Sequence, residues 1–291
     1  MTRLPDELVG YSRGMFSNWC WHRPLQLMID AGEGVQLALG THVFAVSVLA
    51  ITHGHSDHVL GLPGLIAARR FSKGATDKPL TVVYPEGSRG VLAVRQWLDT
   101  AFAGVTFPVL WQPMQSGDRV ALGGGRTLEA TTAVHTPGEP ALAYRVTEER
   151  RQLRPEFRDW TRDAIEAAAR AGDRERMTEM VTHVRFAHSG DAMPLDPVWV
   201  AGADVLVHDA TFLVEADRRE RIHATTDEAL QVAATAGVAQ IVLQHLSVRY
   251  SRPSSLDALR TQVSAHPIAH AWLLDDHRLV PLTDAAAATL G

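Results

Sequence analysis

Four side chains able to ligate a metal, His53, His55, Asp57 and His58, fall within the six residues His53-Gly54-His55-Ser56-Asp57-His58, directly after an apolar run at residues 43–51. Imidazoles two residues apart can turn to one side of a tight loop and hold a single ion, while Asp57 and His58 turn toward a neighbouring one. Gly54 removes side-chain bulk between them. Imidazole nitrogen and carboxylate oxygen suit zinc at about 2.0–2.2 Å, and zincs about 3.5–4 Å apart hold a hydroxide between them and clamp a phosphate. The bland alternative is a polar turn rich in histidine by chance. An HxHxDH spacing after a buried strand, with further histidines downstream, argues against it.

A dinuclear centre needs more ligands than one loop supplies. His135, Asp191 and His245 each follow a segment that reads as a strand, and strand ends on one edge of a sheet converge in space. Alone, each is more often a hydrogen-bonded structural histidine or a turn aspartate; their shared placement raises the joint case. We expect His53, His55 and His135 on one ion, Asp57, His58 and His245 on the other, and Asp191 as the bridge. The cofactor expected is a pair of zinc ions, although the same nitrogen and oxygen set accepts manganese or iron.

The elements that must position these residues alternate between strand and helix. Residues 25–29 read as a short strand running into a glycine-rich turn at 30–36. Asp30 in that turn has two readings: a carboxylate that orients a ligand histidine, or a cap for a helix starting near Glu33; spacing alone favours the cap. The apolar run 43–51 reads as a buried strand and residues 59–70 as a helix, so the ligand loop joins the two. Strands are also expected at 80–84, 128–134, 184–188, 203–209 and 239–245. A helix is expected over 87–102 with Val91, Val94, Leu98 and Phe102 inward. The alternation indicates an α/β layered fold in one domain spanning 1–291.

Residues 147–183 differ in character: arginines alternate with glutamates and aspartates in near balance, and 163–170 is helix-forming by propensity. A solvated helical face or lid laced with ion pairs is the expectation. At 291 residues and 46% hydrophobic content the chain can bury a large core, and its net charge of -5 gives no general attraction for nucleic acid. Cys20, the only cysteine, excludes an internal disulfide and a cysteine-rich metal site. The amino-terminal stretch 1–10 has no apolar leader core, and no apolar run approaches the roughly 20 residues a membrane helix needs, so a soluble cytoplasmic protein with no membrane contact is expected.

With these motifs in order, the chain resembles ribonuclease Z, the tRNA 3′-processing branch of the metallo-β-lactamase superfamily. Asp30-Ala31-Gly32-Glu33-Gly34-Val35-Gln36 is similar to that family's DCGEGTQ, and residues 53–65 to its HxHxDHxxGLPGL. The later motifs match in sequence: His135 with Tyr144-Arg145, Ser189-Gly190-Asp191, His208-Asp209-Ala210-Thr211, His223-Ala224-Thr225, and His245 to Tyr250. The resemblance implies a four-layer αββα sandwich of the metallo-β-lactamase type, a homodimer, and hydrolysis of a phosphodiester in a tRNA precursor. It also implies that Asp209 and His223 act as a proton shuttle to the leaving oxygen; Asp57 is counted with them as catalytic. Asp209 stands where the family has glutamate, a side chain one methylene longer. Ala224 and Ala192 replace the family's serine and threonine, and the 147–183 insertion takes the place of the family's glycine- and proline-rich arm. Those departures, with the acidic net charge, keep a small-molecule phosphodiesterase or ester or lactone hydrolase as the alternative. A non-catalytic scaffold that kept the fold is a further rival, disfavoured because every ligand position is filled.

Overall fold

The computed structural model describes residues 4–70, 78–102 and 107–289; of the amino-terminal stretch 1–10, the first three residues lie outside these. Strands β1 (Leu8–Arg13), β2 (Ser17–His22), β3 (Leu27–Ile29), β4 (Val48–Ala50), β5 (Leu80–Pro85) and β6 (Val109–Met114) form a six-stranded sheet in chain order. The second, eight-stranded sheet runs from β7 (Arg119–Gly123) through β8 (Arg126–Thr132), β9 (Leu142–Leu153), β10 (Thr178–His188), β11 (Leu206–Asp209), β12 (Ile241–Gln244) and β13 (Ala271–Asp275) to β14 (Arg278–Pro281).

Side-chain alternation stacks these sheets. Val48 and Ala50 of β4 point inward with Val83, and meet Phe186, Val207, Val242 and Trp272 of the larger sheet in one apolar core. Leu49 and Val82 point the other way and are covered by Leu65, Val91 and Leu98 from the helices Leu62–Arg70 and Arg89–Ala101. Leu206, Ile241 and Leu243 likewise face Leu230, Ala233 and Leu259 of the helices Thr226–Ala236 and Arg252–Ser264. Strands buried on both faces read as continuous apolar runs, and the result is helix, sheet, sheet, helix: the αββα sandwich that the motifs imply.

β8, β10, β11 and β12 all run in one direction, because β9 is antiparallel to both β8 and β10 while β10, β11 and β12 pair in parallel. Their carboxyl ends therefore open on one edge, where α/β sheets gather ligands.

Three segments differ from their sequence expectation. Only Val48–Ala50 of the run 43–51 is strand; Gly40–Ala45 winds as a 3-10 helix. The buried Arg69 guanidinium donates to the carbonyls of Val43 at 2.8 Å and Val46 at 2.7 Å, which withdraws them from any ladder. The helix expected over 59–70 is broken between Ser56–Val59 and Leu62–Arg70. Gly61 donates its N–H to the Ala31 carbonyl at 2.8 Å, and a Cβ there would lie 1.9 Å from the Gly32 oxygen. Last, the 147–183 insertion is not a helical lid throughout: its flanks continue β9 and β10 as a hairpin paired to Leu153↔Thr178, and α-helix is confined to Arg162–Arg170 and Arg174–Met177 beyond it. Cross-strand bonds such as Thr182 to Glu149 at 2.8 Å tie the hairpin, and the expected ion pairs lie along the helix, where Glu166 meets Arg162 at 2.9 Å and Arg170 at 3.3 Å. Phe157 and Met177 are buried beneath the tip.

Replacing Arg69 with Ala leaves those carbonyls buried without donors. Urea unfolding of Arg69→Ala is expected to show a loss of roughly 3 kcal/mol.

Candidate metal centre

Every side chain singled out from sequence lies at this edge. The loop 52–58 leaves β4, His135 follows β8, Asp191 follows β10, Asp209 ends β11 and His245 follows β12. Ligand atoms of His53, His55 and His135 lie within 4.8 Å of one another, as do those of Asp57, His58 and His245. Asp191 Oδ2 stands between the two groups, 3.2 Å from His58 Nε2, 3.0 Å from His245 Nε2 and 4.0 Å from His53 Nε2. His135 Nε2 approaches His55 Nδ1 at 3.3 Å.

Hydrogen bonds behind the rings fix which nitrogen each presents. Thr52 donates its hydroxyl proton to Asp30 at 2.8 Å, so the same oxygen accepts from His53 Nδ1 at 3.0 Å. Thr211 repeats the device: its hydroxyl donates to Asp209 at 2.8 Å and accepts from His245 Nδ1 at 2.8 Å. His58 Nδ1 donates to Asp30 at 2.8 Å, and His135 Nδ1 to the Ile222 carbonyl at 2.9 Å. In each case the Nε2 lone pair is left facing the cluster, the outer-shell pattern that orients metal-binding histidines. Asp30 therefore orients a ligand-type histidine and is not the expected cap: Gly34 precedes the helix Val35–Leu39, without a side-chain cap.

The donor set fits divalent metal binding. His53 Nε2 and Asp191 Oδ1 are buried with no hydrogen-bond partner. Burial, then the neighbouring His58 charge, holds His53 well below the usual imidazole range, and burial also lowers His135, so both stay neutral. On the other side, burial opposes a charge on His245, yet the adjacent Asp191 carboxylate outweighs it and lifts the ring to about 10. His58 is raised well above its ordinary value against burial, by Asp191 and Asp30. The Asp191 side of the cluster thus demands positive charge.

Asp209 is fully buried and accepts from Thr211 N at 2.8 Å, Ala192 N at 3.0 Å and His223 Nδ1 at 2.6 Å. The shorter carboxylate reaches His223 without strain on that contact. Burial works against protonation of His223, but Asp209 more than compensates and raises it. Its ring stacks on His245 at 5.0 Å between centroids.

Several contributors were not visible in sequence. Asn18 donates to Asp57 Oδ2 at 2.9 Å, and Glu139 accepts from the Gly54 amide at 3.1 Å and the Ser88 hydroxyl at 2.5 Å. Thr211 sits within a matched motif and Thr52 directly before one, and neither carries a signal of its own until the fold brings Asp30 and Asp209 to them. Asp30 and His245 both adopt left-handed backbone, with φ of 58° and 63°, a conformation that non-glycine residues hold at a cost and that clusters at functional sites.

Asp191→Ala is expected to lower the metal bound per chain, read by elemental analysis of the purified protein. Thr211→Val should retain the ions but weaken affinity by about 10–100-fold in chelator competition. Full occupancy in the first variant contradicts the bridging assignment.

A family model described as the beta-lactamase superfamily domain matches residues 26–246. Ribonuclease Z of Gemmatimonas aurantiaca is 32% identical over 255 residues, covering 78% of this chain and 78% of that protein. Ribonuclease Z of Metallosphaera sedula is 30% identical over 253 residues, covering 80% and 82%. Among solved structures, the short form of human tRNase Z superposes with a TM-score of 0.66 at 16% identity, over 94% of this chain and 98% of that one. The metallo-beta-lactamase fold protein YhfI of Bacillus subtilis gives 0.65 at 16% identity over the same shares. These likenesses establish the fold, and the sequence identities carry the narrower assignment: the chain belongs to the beta-lactamase superfamily and, within it, to the ribonuclease Z family.

Proposed function

We propose that this chain is a metal-dependent endoribonuclease that hydrolyses a phosphodiester at the 3′ end of tRNA precursors. His53, His55 and His135 would hold one ion, Asp57, His58 and His245 the other, and Asp191 would bridge them. The observation that carries the reading is the His223–Asp209 pair at 2.6 Å, set beside that cluster. A departing ribose 3′-oxygen is a poor leaving group without a proton.

A divalent pair at such a site supplies water activated at neutral pH and neutralisation of phosphoryl charge. The chain's own residues do the rest. Asp209 engages Nδ1 of His223, so Nε2 is the nitrogen left to hold and deliver the proton. The Asp209 carboxylate also favours the protonated ring, which suits His223 to give a proton to the leaving oxygen. Asn18 and the Met15 amide, bonded to Asp57 Oδ2 at 2.9 and 3.2 Å, keep that carboxylate turned toward His58. Zinc as the native metal belongs to the same reading, supported by the nitrogen-rich donor set, and a cytoplasmic site of action and a homodimer go with it as expectations from the motif resemblance. Among the described residues no helix is long and apolar enough to cross a membrane.

His223→Ala is expected to lower kcat on a tRNA precursor by about 10²–10⁴-fold with bound metal unchanged. The loss on bis-p-nitrophenyl phosphate should be far smaller, because a phenolate leaves without a proton. Wild-type turnover of the small ester alone, at every salt concentration, would remove the tRNA reading in favour of a small-molecule phosphodiesterase.

A further inference from the structure

The turn between β1 and β2 forms a rim of the metal centre. A Cβ on Gly14 would lie 3.2 Å from the His245 ring, so the backbone here passes in tight contact with that ring. Met15 donates its N–H to Asp57 Oδ2 at 3.2 Å and holds a positive φ of 70° to do so. This anchoring turns the next side chains outward: Met15 is 82% and Phe16 58% exposed at the edge of a buried catalytic cluster. The Arg13 guanidinium lies 5.1 Å from the Phe16 ring centroid, with Asp276 3.7 Å from it on the other side.

From Phe16 a cavity of about 270 Å³ opens over the outer face of β1 and β2, walled by Tyr11, Trp19 and His277, with Glu33 at its margin. Tyr11 and the exposed His277 meet edge to face at 4.6 Å. Trp19 and His277 also line a second cavity of about 320 Å³, which continues past Trp21 to Arg23 and His42. Arg23 lies over the Trp21 ring at 5.6 Å. The track therefore begins beside the turn that contacts Asp57 and His245 and leads away from it; its exposed groups are Phe16 and His277, with Arg13 and Arg23 near its two ends, while Trp19 and Trp21 line it from the buried core. Exposed rings offer a π-face to any base, and guanidinium groups flanking them offset phosphate charge, the combination that holds single-stranded nucleic acid without reading sequence. A base-paired stem cannot present free base faces to such a track, whereas an unpaired extension can.

We propose that the track from Phe16 past His277 to Arg23 receives the unpaired nucleotides on the 3′ side of the scissile phosphodiester, with Phe16 and His277 as stacking platforms. This rests on the RNA-cleaving reading above. The test is anisotropy of a labelled single-stranded RNA of about twelve nucleotides bound to the metal-loaded protein, with Phe16→Ala and His277→Ala beside the wild type. Each variant is expected to bind about tenfold more weakly while holding the same metal. In cleavage, KM for a precursor carrying a trailer of about twelve nucleotides should rise in the variants, and KM for a one-nucleotide trailer should not. Equal oligonucleotide affinity in all three proteins, or an equal rise in KM for both trailers, overturns the track. Absence of precursor cleavage by the wild type overturns the enzymatic reading instead, and the binding measurement still decides the track.

Discussion

A single buried carboxylate, Asp191, faces three imidazoles at 3.0 to 4.0 Å. An anion so placed must be matched by positive charge, since an unpaired buried ion costs several kcal/mol. The neighbouring His58 and His245 rings, whose proton affinity Asp191 raises, meet that demand. The surrounding architecture serves that balance: parallel strand ends bring the groups together, and Thr52, Thr211 and Asp30 direct the lone pairs inward. The strain held at Asp30 and His245 is tolerated because each is pinned by several contacts at once.

Asp209 extends the same logic outward. Its carboxylate is fixed by backbone and hydroxyl donors in the position from which it accepts from His223. Thr211 bonds to both Asp209 and His245, and so links the Asp209–His223 pair to His245 through one hydroxyl.

The clustered residues were legible because their spacing is local or their position repeats: two-residue steps in the 53–58 loop, and polar residues directly after apolar strands. The residues behind them were not. Thr52 and Thr211 are ordinary strand-end threonines until the fold brings Asp30 and His245 to them. Asp30 reads as a turn residue because its role depends on His58, distant in the chain and adjacent only in space. The run 43–51 reads as strand from its own composition, and only Arg69, reaching back from a later helix, withdraws half of it. The 147–183 segment misleads for a different reason: a hairpin solvated on both faces has no apolar period, and its Arg, Glu and Ala content favours helix locally.

That hairpin is a prolongation of the two strands next to Asp191, yet a register shift between Val184 and Phe186 interrupts the ladder before it reaches the sandwich. Such a bulge bends and twists the outer portion independently of the inner one. The outgrowth is thus a replaceable module on a fixed socket: its length, charge and tip can be rewritten by evolution while the hydrolytic machinery below keeps its geometry.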